Sequence, residues 1–185
     1  MYLLNQLQIY YLFINIYNNA RILTYKISFI LVHLLLLKLT IMTKMIHSYW
    51  AYIVLLILII AVVNAVIGLS TKKEFKAKDI RISLFTLITA HIQLIIGFFA
   101  YFNSTYFTSM QAHGMGEVMK NSILRKHLVE HPIMILIAIA LITIGFSKHK
   151  KKDTDYGKFK TIAIYYSIAL VLILAVIPWH SWFSN

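Results

Sequence analysis

No cysteine occurs anywhere in the chain, so disulfides, iron–sulfur clusters, thiolate metal sites and covalent haem attachment through C-x-x-C-H are excluded. Any metal must be held by histidine, methionine, carboxylate or backbone. Acidic residues are also scarce. The six in 185 residues are Glu74, Asp79, Glu117, Glu130, Asp153 and Asp155, and none falls in the middle of an apolar run, which argues against a proton or metal transporter. Only 13% of residues are charged, while 60% are apolar or aromatic and the mean hydropathy is +0.75. That composition describes an integral membrane protein rather than a soluble domain.

Four apolar runs are long enough to cross a hydrocarbon core, which takes about 20 helical residues. They cover 48 to 69, 80 to 102, 123 to 146 and 160 to 182, and they predict an all-α, four-helix transmembrane bundle. The first two are joined by TKKEFKAKDIR and the last two by SKHKKKDTDYGKFK, whereas the long middle connection, through NSTYFTSMQAHGMGEVMKNSILRK, carries only Lys120, Arg125 and Lys126. The positive-inside rule then places loops 70 to 79 and 147 to 159 in the cytoplasm, with the middle connection and the C-terminus on the outer side. Tyr49, Trp50 and Tyr52, the stretch Tyr101 to Phe107, and Trp179 with Trp182 form an aromatic belt at the outer interface. The net charge of +12 sits mostly in the two lysine loops, where topology and anionic headgroups account for it without nucleic acid.

Residues 1 to 44 contain no acidic residue, glycine or proline and are dominated by Leu, Ile, Tyr, Asn and Lys. Such a bias is expected from translation of an AT-rich upstream region, so residues 1 to 44 are read as an extension from a misassigned start and residues 45 to 185 as the four-helix domain. The structural alternative is a fifth hydrophobic segment at about 27 to 42, interrupted by His33 and Lys38 and lying in the interface. A cleaved signal peptide is not expected, because no small-residue cleavage site follows an apolar core.

HLVEH, residues 127 to 131, matches the H-x-x-E-H motif of inverted zincins. The family chemistry needs a downstream glutamate as third ligand, and no glutamate follows Glu130; Asp153 and Asp155 lie a full span away. A zinc peptidase is therefore excluded. The same histidines suit another cofactor. His91 lies near the middle of the second span, where a polar ionisable group is costly and suggests function. His131 lies two turns inside the outer end of the third span, with His127 one turn above it. His47 opens the first span and His180 nearly closes the fourth. Imidazoles converging from several helices are what a bis-histidine haem requires, and His91 with His131 is the expected axial pair, with His47 or His180 as alternates. Ala90, Gly97 and Ala138 leave room for a flat macrocycle, and Lys120, Arg125 and Lys126 stand where propionates would emerge. His149, within KHKKK, and His113 are expected in solvated loops. Thr86, Thr89, Gln93, Tyr165 and Tyr166 are candidates for lining a quinone pocket, or for ordinary helix packing.

The segments HSYWAYIVLLILIIAVVNAVIGL, KDIRISLFTLITAHIQLIIGFFAYF, LRKHLVEHPIMILIAIALITIGFSKHKKK and FKTIAIYYSIALVLILAVIPW together resemble a family of small bacterial inner-membrane proteins commonly labelled "cytochrome B". The resemblance covers residues 46 to 179 and implies a b-type haem, with His47, His91 and His131 at the matching positions. It implies an electron carrier or anchor subunit in the bacterial cytoplasmic membrane, with a quinone or respiratory-complex subunits as partners. Two other functions stay open: an assembly or scaffold subunit without stable haem, and a haem-modifying role like that of the haem A synthases, an analogy of architecture alone.

Overall fold

The computed structural model describes the backbone of residues 2 to 177 and 179, with side chains from residue 11 onward. The described chain is all-α, with no strand. Its elements are α1 (Tyr2–Ser70), α2 (Ala77–Phe102), α3 (Thr105–Lys120), α4 (Ser122–Arg125), a π-helical turn (Lys126–Glu130), α5 (His131–His149) and α6 (Asp155–Val176). Four helical stretches are long and apolar enough to cross a membrane: within Tyr11–Ser70, Ala77–Phe102, Ser122–His149 and Asp155–Val176. This is the framework of a multi-pass membrane protein.

Two compact units divide the chain at residues 42 and 43. In the first, the described residues form a single helix, and its side chains from Tyr11 to Leu39 are exposed. Some of its polar side chains bond along the helix itself, as where the Thr24 hydroxyl donates to the Arg21 carbonyl at 2.7 Å.

The second unit, from Thr43 on, holds the core. Leu58, Ala61 and Ala65 of α1 meet Ala90 of α2, Ala138, Ile139 and Ile142 of α5, and Phe159, Ile162, Tyr166 and Ala169 of α6. Small residues set the closest approaches. A Cβ on Gly145 would stand 2.6 Å from the Tyr165 Cβ, and one on Gly68 would stand 2.4 Å from the Phe159 ring, so α5 and α1 both lie against α6 where a side chain is missing.

Helix α2 shows how the sequence works in an apolar solvent. Its inward face is polar: Asp79, Ser83, Thr86 and Thr89 are all buried. The three hydroxyls donate to the carbonyls four residues earlier, at 2.8 to 3.0 Å, which satisfies them without a partner helix. The freed surface then receives other helices: the Tyr166 hydroxyl donates to the Ser83 carbonyl at 3.0 Å, and the Trp50 indole N–H to the Thr89 carbonyl at 3.1 Å.

At the lysine-rich end, α1 closes through Lys72 at φ 51, with the Lys73 N–H reaching the Gly68 carbonyl. Asp79 then joins the two helices. One carboxylate oxygen accepts from Lys73 Nζ at 2.9 Å and Asn64 Nδ2 at 2.8 Å, and the other accepts from the Lys76 backbone N–H at 2.9 Å. That last bond caps the helix, which is why α2 begins at Ala77, ahead of the apolar run.

The structure revises several expectations. The middle connection is mostly helix, as α3, whose break lies at Gly114 with φ 80. The last span begins at Asp155, where Thr154 caps it, and its helix ends at Val176, ahead of Pro178; of the expected stretch to 182, residues 178 and 180 to 182 lie outside the described residues. His149 is not a loop residue in solvent. It ends α5 with 1% exposure, its ring 5.0 Å from that of Phe146 and 5.6 Å from that of Phe75. The Lys150 ammonium sits over Phe146 at 4.3 Å, so the lysines cover an aromatic floor with the histidine beneath it.

Candidate functional site

At the end of the bundle opposite the lysines, three helices bring polar side chains together. His47 of α1 and His131 of α5 lie edge to face, with ring centres 6.3 Å apart and planes at 77°. Each ring is held by its Nδ1. That of His131 donates to the Val176 carbonyl at 3.1 Å, which leaves Nε2 as the bare nitrogen. That of His47 lies 3.1 Å from Gln93 Nε2, which also donates to the His47 carbonyl at 3.0 Å. Gln93 Oε1 is buried without a partner. Gly97 completes the floor: a Cβ there would stand 3.2 Å from His47 Cε1, so the ring edge rests where any other residue would intrude.

Local sequence explains how His131 arrives there. Pro132 opens α5 and has no N–H to offer the Leu128 carbonyl one turn back. The chain widens into the π-helical turn, in which the His131 N–H reaches the Lys126 carbonyl, and the Tyr101 hydroxyl of α2 donates to the Leu128 carbonyl at 3.3 Å. The two histidines of HLVEH consequently have different neighbours. His127 stacks on Tyr106 at 4.2 Å with its Nδ1 on the Ile123 carbonyl, whereas His131 turns toward His47.

His91, the expected partner of His131, stands elsewhere. It is exposed on the far side of α2 from Gln93, with Nδ1 bonded to the Leu87 carbonyl of its own helix at 2.8 Å. His180 lies outside the described residues. Arg125 is already engaged, through Nε to Glu130 at 2.8 Å and through Nη1 to the Met119 carbonyl at 2.9 Å. Thr86, Thr89 and Tyr166 belong to the packed core, and Tyr165 accepts from Lys148 Nζ at 2.8 Å near the lysine-rich end, so only Gln93 of the quinone-pocket candidates reaches the histidine pair.

A carbonyl on Nδ1 is the usual way a ligating histidine is oriented, and the Val176 carbonyl stands in that place at His131. Among the described residues no group of three His, Asp or Glu side chains gathers as a metal-ion site, whereas haem iron asks the protein for only two axial ligands. In number and chemistry of donors, two imidazoles from separate helices are what a haem would ask of the protein. Sequence reasoning missed Gln93 as its companion, although the inward stripe Asp79, Ser83, Thr86, Thr89 points straight to it at helical spacing. Comparison with family models, characterised proteins and solved structures found no match.

Proposed function

We propose that the chain is a small b-type haem protein of the bacterial cytoplasmic membrane, an electron carrier or anchor subunit, whose haem would be held by His47 and His131 rather than by His91 and His131. The observation that supports this is the pairing of two imidazoles from separate helices at 6.3 Å, each with its Nδ1 already engaged. When bound, the haem supplies one-electron exchange at iron. The chain's own residues orient the ligands. The Val176 carbonyl fixes the His131 ring and its tautomer. Gln93 Nε2 donates to both the Nδ1 and the backbone carbonyl of His47, which holds that ring against α2. In this reading the lysine-rich end faces the cytoplasm and the histidine pair serves a partner on the outer side, a quinone or another subunit of a respiratory complex.

The test is the dithionite-reduced minus air-oxidised visible spectrum of the full chain, purified after expression with haem supplied, beside single His→Ala variants at 47, 131 and 91. Sharp reduced α and β bands that disappear at 47 and 131 and survive at 91 are expected. A colourless wild type would leave the scaffold reading, in which Gln93 and the two imidazoles simply bind helices together.

A further inference from the structure

The outward face of α2 reads differently from its polar inward one. Leu84, Ile88, His91, Ile95, Phe98 and Phe102 recur in alternating steps of four and three residues, and all six are exposed. This is the spacing of a helix seam, and five of its six members are apolar. Any lipid-facing stripe of a membrane helix has that spacing, and lipid would satisfy the five. It does not satisfy His91. Midway along α2, this imidazole uses Nδ1 on its own helix and has no hydrogen bond at Nε2 among the described residues. A polar nitrogen at that depth is costly in hydrocarbon and is ordinarily met by another helix.

We infer that a second copy of this chain covers the face, with α2 against α2 in parallel and His91 against the partner's His91. Two copies inserted alike are related by a two-fold axis along the membrane normal, which brings equal depths together. The sole polar residue of the stripe then meets itself. Imidazole is suited to this because its neutral form carries one donor and one acceptor, so Nε2–H of one ring donates to the bare Nε2 of the other. The donating ring releases the Leu87 carbonyl, which already accepts from the helix backbone, so little is lost there. A lysine, arginine or carboxylate in the same place would repel its copy. One polar residue in an apolar seam also fixes register, because any slip strands both rings. This pairing is independent of haem at His47 and His131, which face the bundle interior.

Because the chain has no cysteine, single replacements report contacts without background. Full-length protein carrying Ile88→Cys, Ile95→Cys or, as a control on α6, Val171→Cys would be reconstituted in liposomes, oxidised and run on non-reducing gels. Dimer is expected at 88 and 95 and not at 171, which is exposed but off the seam. In fluorescence-transfer dilution experiments His91→Leu should weaken dimerisation about tenfold, whereas His91→Asn, which also both donates and accepts, should keep most of it. Absence of cross-linking at both seam positions, equal cross-linking at 171, or a dimer indifferent to His91→Leu would each overturn the inference. His91→Leu keeping the reduced spectrum of the wild type separates this result from the haem reading.

Discussion

Asp79 keeps 4% of its side chain exposed and draws donors from Lys73, Asn64 and its own helix start. Substitution by Asn retains the shape but loses charge-assisted bonding, and a loss of about 2 kcal/mol is expected in steric-trap unfolding measurements. Tyr101 offers a cleaner case. Its hydroxyl serves a carbonyl that Pro132 cannot, so Tyr101→Phe should cost about 1 kcal/mol in the natural sequence, and the loss should shrink in a Pro132→Ala background, where the backbone supplies a donor. Lys72 provides a change in the opposite direction. It holds a left-handed φ of 51 at the end of α1 with its side chain exposed, so Lys72→Gly should stabilise the protein by up to about 1 kcal/mol, visible as a higher thermal midpoint in detergent. None of these three roles is legible from residue type alone, because each depends on which carbonyl or ammonium the fold brings near.

Among elements, the contrast between glycines separates packing from conformation. Gly145→Ala must push the α5 backbone from the Tyr165 Cβ, an atom fixed to its own main chain, and a cost of about 1 to 3 kcal/mol is expected. Gly116 in α3 has open space around its would-be Cβ, so Gly116→Ala should be neutral or stabilising by about 0.5 to 1 kcal/mol; thermal denaturation of the two variants side by side checks both signs. The spans were legible at this scale because twenty apolar residues announce a crossing whatever they pack against. Their ends were less so, since caps at Asp79 and Thr154 extend α2 and α6 into polar sequence. The expected pairing of His91 with His131 rests on depth, which follows from counting residues, whereas facing follows from the whole stripe. Asp79, Ser83, Thr86, Thr89 and Gln93 mark the inward side of α2, and His91, two residues from Gln93, falls roughly opposite. In a membrane the polar stripe marks the core, reversing the habit learned from soluble helices.

For the molecule as a whole, one end carries the lysine loops and the other the histidine pair, with α1, α2, α5 and α6 between them. The proposed orientation makes an outcome that can be checked without any cofactor. A single cysteine at Lys151 in sealed inside-out vesicles should react with an impermeant maleimide, and one at Met115 should react only from the opposite face. The all-α membrane architecture was legible from composition and run length. The candidate site was legible only in part: His47 and His131 were among the candidates, as were Gln93 and Gly97 in other roles, but that these four come together depends on the helix arrangement.

The Asp79 clamp also bears on the order in which the protein is made. Asn64, Lys73 and Asp79 are separated by only a few turns of chain, so the α1 to α2 hairpin can lock as soon as both segments have left the ribosome. The histidine pair has no such head start. His131 is synthesised long after His47, and the Val176 carbonyl that orients it comes later still, so the site closes only when the last helix has been inserted. A nascent chain would therefore hold a stable hairpin well before it could bind anything between its histidines.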